Sequence, residues 1–135
     1  MRALPSRRLA GGFNLIELML VIGVIAVLSA IAYPSYLAHV RKTHRTAVKA
    51  DMVEYAQRAE RQHSSENSYA SFKLPYEVSP REGGTARYKL AIDAKASTFK
   101  ITATPQGTQT KDSCGTLTLD QANRKTAEGT LSECW

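Results

Sequence analysis

One carboxylate stands near the start of a long apolar run, and its chemistry needs a partner. Leu18 to Tyr33 contains sixteen residues without a charge, and the run reaches twenty-one residues when it is counted from Phe13, with Glu17 inside it. At about 1.5 Å per residue, a helix of that length spans roughly 30 Å, the thickness of the hydrocarbon core of a bilayer. An ionised carboxylate there costs on the order of 1–3 kcal/mol unless a cation pairs with it. An ammonium group is the natural partner.

The residues around this carboxylate form a processing signal. From Gly11 the sequence reads GGFNLIELMLVIGVIAVLSAIAYPSY, which resembles the class III signal and first helix of type IV pilins and type II secretion pseudopilins. Asn14 stands where that family usually has Thr. The resemblance implies that prepilin peptidase cleaves between Gly12 and Phe13 and that the new Phe13 amine is methylated. It also implies that Glu17 meets the N-terminal amine of a neighbouring subunit during assembly.

Three other interpretations of the N-terminus remain open. A secretory signal would use the arginines of residues 2–8, an apolar segment and the small residues Ala30 and Ala32 at its cleavage site. A plain membrane anchor would use Glu17 only as an acid that favours a helix N-terminus. A double-glycine peptide leader is the third. Pilin processing is favoured, because Glu17 would interrupt the apolar part of a secretory signal without gain.

Length and charge are compatible with one small domain carried on a long helix. Removing a twelve-residue leader would leave 123 of the 135 residues, too few for a second core. The net charge of +6 includes three arginines in the leader, so the remainder carries +3. We expect a leader at residues 1–12, a membrane and fibre-core helix at 13–34, and a globular domain at 35–135.

Two cysteines indicate the compartment of this domain. Cys114 and Cys134 lie near the end of a chain that otherwise looks exported, so we expect a disulfide rather than two free buried thiols. Closing this loop would stabilise the fold by about 3 kcal/mol. Basic residues flank both ends of the apolar run and do not fix its orientation. We therefore expect the apolar run to span the inner membrane, with the domain in the bacterial periplasm before assembly and on the pilus surface after it.

An amphipathic helix is predicted at residues 36–62, beyond Pro34. Pro34 either kinks one continuous helix or ends the membrane segment, and the resemblance to pilins favours the kink. Apolar and small residues recur at helical spacing, with His44 filling one step: Leu37, Val40, Ala47, Met52, Tyr55 and Ala59. The opposite face is predicted to carry the basic residues Arg41, Lys42, Arg45, Lys49, Arg58 and Arg61.

Alternating patterns predict strands in the second half of the chain. A loop is expected at residues 64–68, strands at 88–93 and 99–104 that form a hairpin, and a third strand at 116–119. A sheet of three or four strands needs the helix to cover its apolar face. The predicted fold is α+β, a long helix on an antiparallel sheet, which is the pilin fold. The Cys-Gly-x-Leu-Thr-Leu strand and closing Cys-Trp resemble PilE-like minor pilins.

Motifs for catalysis are absent from the sequence. There is no nucleophile elbow, phosphate loop, dinucleotide fingerprint or zinc-binding helix motif. His39 and His44 are five residues apart and do not share a helical face well enough to chelate a metal, and His63 is distant. We therefore predict no enzymatic activity, no metal and no cofactor.

Two basic sets offer binding surfaces. The helix set, Arg41 to Lys49, could contact anionic lipids or acids of adjacent subunits, or could simply be a solvated face. The second set is Lys111, Arg124 and Lys125, in the cysteine-closed region, where some competence pilins bind DNA. Three charges give weak non-specific affinity, and no aromatic platform is interleaved with them.

The favoured function is therefore structural. The sequence is interpreted as a minor pilin that packs with other pilin subunits in a helical fibre and supports pilus assembly with twitching motility or adhesion. A DNA-binding competence pilin is the first alternative. A type II secretion pseudopilin is the second, although the cysteine-bracketed C-terminus and the lack of a calcium-binding loop count against it.

Overall fold

The computed structural model describes residues 12–135, so the predicted leader lies outside it except for Gly12. Along the sequence, the chain divides into two compact units at the boundary between Tyr36 and Leu37. One α-helix, α1, runs from Leu15 to Glu66 and contains Pro34 within it.

The first unit contains the N-terminal part of α1. The backbone N–H of Glu17 donates to the carbonyl of Asn14 at 3.0 Å, and the Asn14 side chain accepts from Ile16 N–H at 3.4 Å. Asn14 thus caps the helix. The apolar side chains from Phe13 to Tyr33 are exposed. Within residues 12–135, α1 is the one helix that is long and apolar enough to cross a membrane.

The second unit contains a five-stranded antiparallel sheet. Its strands are β1 (Val78–Ser79), β2 (Tyr88–Ala94), β3 (Phe99–Pro105), β4 (Leu117–Asp120) and β5 (Lys125–Thr126), and each pairs with the next in sequence. A 3₁₀ helix (Gly107–Lys111) precedes β4, and a short helix, α2 (Leu131–Cys134), follows β5. The predicted hairpin is confirmed, with Leu90 opposite Ala103. The two-residue strands β1 and β5 were not predicted, because two residues show no alternation.

The core lies between the sheet and the C-terminal half of α1. On the helix, Val48, Met52, Tyr55 and Ala59 have no exposed surface. On the sheet, alternate residues face them, including Leu90, Ile101, Leu117 and Leu119. Each large apolar side chain buried in this way stabilises the fold by about 1.5–3 kcal/mol. This confirms the predicted helix-on-sheet architecture.

Three details of the helix prediction were wrong. Ala47 is exposed and Val48 is buried in its place. Arg45, predicted on the exposed basic face, is 7% exposed because it pairs with an acid from a distant segment, described below. The helix continues to Glu66 through part of the predicted loop, where the Glu66 carboxylate accepts from Gln62 and Ser71 at 3.0 and 2.5 Å.

The predicted disulfide joins Cys114 to Cys134. Both half-cystines are 1% exposed, and they tie the segment before β4 to α2. The disulfide therefore fixes the last residues of the chain against the core.

Candidate functional site

A groove of about 500 Å³ lies between the exposed side of α1 and the segment that contains β5 and α2. All of it belongs to the second unit. Its lining residues are Thr46, Lys49, Ala50, Val53, Glu54, Gln57, Lys125 and Trp135. Its apolar surface comes from Ala50, Val53 and Trp135, and its charged groups are two lysines and one glutamate.

The indole of Trp135 is the aromatic surface of this groove. It is half-buried, and its Nε1–H donates to the carbonyl of Thr126 at 2.9 Å, which fixes the orientation of the ring. The Lys125 ammonium lies over the ring, 5.2 Å from its centroid. This is a cation–π contact, worth about 0.5–1 kcal/mol at an exposed site.

Positive charge accumulates at Lys49. Burial is the main cause that lowers the pKa of its ammonium below 10.5, because the charged form loses hydration. Three nearby positive side chains lower this pKa further: Arg45, Lys125 and Lys42. Like charges that face one another in this way are relieved by a bound anion.

The acid on the rim is already paired with cations. Glu54 accepts from Arg81 at 2.7 Å and from Arg58 at 2.6 Å. Hydrogen bonds from these two guanidinium groups lower the pKa of Glu54. Glu54 therefore offsets little of the positive charge of Lys49 and Lys125.

The disulfide and a glycine hold Trp135 in place. Cys134, the neighbour of Trp135, is bonded to Cys114, and the Glu128 N–H donates to the Cys114 carbonyl at 3.1 Å. A Cβ at Gly129 would lie 2.5 Å from the Ser113 carbonyl oxygen, so only glycine allows this close approach. The segment that carries the indole is consequently docked at several points.

A buried polar network docks the 3₁₀ helix on α1. Arg45 donates to Asp112 at 2.5 Å, and the two side chains are 9% and 7% exposed. The Gln109 side chain donates to the Arg41 carbonyl and to the Tyr88 hydroxyl, both at 3.0 Å. Burial raises the pKa of Tyr88 to about 12, so its hydroxyl stays protonated. Lys111 lies between these two anchors in the sequence, in the last turn of the 3₁₀ helix.

The second predicted basic set is divided by the structure. Lys125 lines the groove, whereas Lys111 and Arg124 do not. Arg124 is bonded to Asp120 at 2.7 Å, and its side chain is 74% exposed. Lys49, assigned from sequence to the helix set, joins Lys125 instead.

Sequence reasoning missed the aromatic member of the site. Trp135 lies in the groove with Lys49 and Lys125. It could not be placed there from the sequence, because 86 residues separate it from Lys49 and only the fold brings them together. The sequence did contain one indication of its importance, because Trp135 is the single tryptophan of the chain and directly follows a cysteine of the predicted disulfide.

The other predicted residues lie in the first unit. Gly12 and Phe13 precede α1, Glu17 is in its first turn, and Pro34 is inside it. Cleavage, methylation, the assembly role and the kink remain predictions. Within residues 12–135, no group of three or more His, Cys, Asp or Glu side chains is arranged to hold a metal ion.

Solved structures of two pilins share this fold. The non-core minor pilin PilV of Neisseria meningitidis matches over 72% of this chain and 95% of its own, with 18% identity and a TM-score of 0.54. A type IV pilin from Shewanella oneidensis matches over 70% of this chain and 97% of its own, with 24% identity and a TM-score of 0.53. No curated protein matches the sequence.

A family model gives a closer assignment. The model described as "Type IV minor pilin ComP, DNA uptake sequence receptor" matches residues 34–118, more than half of the chain. The matched range includes Lys49 and the sheet up to β4, and it ends before Lys125 and Trp135. Together with the helix-on-sheet fold and its C-terminal disulfide, this match shows that the chain belongs to this family of type IV minor pilins.

Proposed function

We propose that this minor pilin is a receptor that binds DNA for uptake. The observation that carries the proposal is the groove in which Lys49, Lys125 and Trp135 meet. The description of the matching family, a receptor for a DNA uptake sequence, supports the same function. It supports DNA uptake better than the adhesion or twitching role favoured from the sequence. As a pilin, the chain is a structural protein and not an enzyme.

The charges of the groove suit a polyanion. Lys49 and Lys125 face the groove, and Lys42 is close enough to lower the pKa of Lys49. Three phosphate contacts give a slope of log affinity against log salt of about −2.7 on duplex DNA. Raising the salt from about 50 to about 200 mM should then weaken binding about 40-fold.

A titration of labelled DNA against the full chain in an uncharged detergent tests the proposal. The variant with Lys49→Gln and Lys125→Gln should bind more weakly, and its salt slope should be smaller in magnitude by about 2. Its matched control replaces Lys89 and Lys100 by Gln, since both are exposed on the opposite face of the sheet. Both double variants lose the same charge, so equal weakening would show that the groove has no special role.

An uptake assay extends the test to the cell. In the bacterium that carries this pilin, the groove variant should reduce the recovery of transformants, whereas the Lys89 and Lys100 control should not. Pilus number is counted in both strains. Normal transformation with the groove variant would contradict the proposal.

The proposed route to the surface follows the pilin pathway. Cleavage between Gly12 and Phe13 removes a leader of residues 1–12, and the amine of Phe13 is methylated. The mature chain is held in the inner membrane by residues 13–34, with the domain at residues 35–135 in the periplasm, and it then joins other subunits in a pilus. N-terminal sequencing of the mature protein should begin at Phe13. A start at Tyr33 would identify a secretory signal instead.

A further inference from the structure

We propose that the groove binds an unpaired nucleotide, with its base stacked on the indole of Trp135 and its flanking phosphates held by Lys49 and Lys125. The inference rests on the proposed DNA-binding function and names the form of DNA that the groove takes. It makes single-stranded or locally opened DNA the preferred ligand.

The indole is a preorganised stacking surface. Its Nε1–H is bonded to the Thr126 carbonyl at 2.9 Å, and the adjacent Cys134 is buried in a disulfide. The ring therefore loses little freedom when a base stacks on it. Aromatic stacking of this kind strengthens binding by about 5- to 160-fold per base.

The size and lining of the groove favour an exposed base. A space of about 500 Å³ with Ala50 and Val53 in its wall accommodates a planar, partly apolar ring. Within a duplex, both faces of each base are covered by neighbouring bases. The indole can then stack only on a base that is unpaired or has been rotated out of the helix.

The position of Lys125 fits an exchange of partners. In the free protein its ammonium lies 5.2 Å from the centroid of the indole ring. A phosphate offers this ammonium a charge-assisted hydrogen bond, which is stronger than the cation–π contact. When Lys125 turns to a phosphate, it uncovers the ring for the base.

The surrounding charges give the bound strand a direction. A second hollow of about 310 Å³ shares Val53 and Gln57 with the groove. It is lined by Asp120, which is paired with Arg124, and by Glu60, whose carboxylate accepts from the Tyr69 hydroxyl at 3.0 Å and supplies the negative charge at that end. Phosphates are repelled from that end. The opposite end lies at Thr46, one helical turn from Lys42 on α1, so the strand should leave the groove on that side.

The single tryptophan of the chain makes a direct test possible, because its fluorescence reports on this groove alone. The full chain in an uncharged detergent is titrated with three ligands at equal salt. They are a short oligothymidylate, an abasic oligomer of the same length, and a duplex of the same length. The oligothymidylate should change the fluorescence and bind about 5- to 160-fold more tightly than the abasic oligomer.

Variants of the ring separate stacking from charge. Trp135→Leu should bind the oligothymidylate and the abasic oligomer equally, with an unchanged salt slope, whereas Trp135→Phe should keep part of the preference. Binding of these variants is followed by fluorescence anisotropy of a label on the DNA. The comparison of ligands on the unmodified protein needs no variant, so it stands even if Trp135→Leu does not fold.

The outcomes distinguish the two proposals. If the duplex binds at least as tightly as the single strand and the fluorescence does not change, the stacking inference is wrong and DNA binding stands. The inference is also wrong if Trp135→Leu retains the preference for the base-containing strand. If none of the three ligands binds, both the inference and the proposed function are wrong.

Discussion

Replacing Asp112 by Ala should destabilise the second unit strongly, because it leaves the guanidinium of Arg45 buried without a counterion. The two side chains are 9% and 7% exposed, so the guanidinium would be poorly hydrated once the carboxylate is removed. The same carboxylate also accepts a long hydrogen bond from Tyr88 at 3.3 Å. The change therefore removes the central acceptor of the network that docks the 3₁₀ helix on α1.

The expected cost is large compared with total stability. Breaking a buried ion pair by removing one partner costs about 3–5 kcal/mol. A domain of this size is stable by only about 5–15 kcal/mol. Replacing both partners by apolar residues, with Arg45→Met and Asp112→Leu, should recover most of the loss, because no charge is left buried.

Urea unfolding of the full chain, followed by the fluorescence of Trp135, measures these free energies. A double-mutant cycle of Arg45→Met and Asp112→Leu should give a coupling energy of about 3 kcal/mol. The control is Arg124→Ala, which breaks an ion pair in which the arginine is 74% exposed and should cost about 0–1 kcal/mol. A cost for Asp112→Ala no greater than that of Arg124→Ala would refute the reasoning. So would single costs that simply add in the double variant.

Three further predictions follow from other parts of the chain. Replacing Cys114 and Cys134 by Ser should lower the free energy of unfolding by about 3 kcal/mol and weaken DNA binding, because Trp135 is then no longer tethered through Cys134. Unchanged DNA affinity, measured where the variant is still fully folded, would contradict this prediction. Because the pKa of Lys49 lies below 10.5 in the folded state, the unfolded chain binds more protons as the pH approaches that value, so stability should rise with pH there. When the free energy of unfolding is measured by urea titration at several pH values, Lys49→Gln should reduce its increase with pH. An unchanged slope of this free energy against pH would contradict the prediction. Glu17→Ala should leave the protein stable and processed but poorly incorporated into sheared pili on immunoblots, and normal incorporation would argue against its assembly role.

The fold was largely predictable because its elements carry strong local patterns. Tyr88, Leu90 and Ile92 alternate with exposed residues, and so do Phe99, Ile101 and Ala103, as expected for strands with one buried face. The patterns identified β2, β3, β4 and the helix that covers them. They could not identify β1 and β5, which owe their pairing to neighbouring strands.

The site was less predictable because it depends on pairs that are distant in sequence. A helical pattern assigns Arg45 to the exposed face, since nothing nearby indicates that Asp112 will neutralise it. The same limit applies to Lys49, Lys125 and Trp135, which come from three places in the chain. The residue types were visible in the sequence, and the fold determined which of them meet.

The sequential order of the five strands also bears on how the second unit folds. Because every strand pairs with its immediate neighbour in sequence, the sheet can grow by adding one hairpin at a time. The shortest loops to close are those between β2 and β3 and between β4 and β5. The contacts of high sequence separation are those between the helix and the sheet, and they carry most of the loop-closure entropy. Cys114 and Cys134 flank β4 and β5, the last two strands. Their oxidation therefore stabilises the last part of the sheet and does not direct the pairing of the first strands.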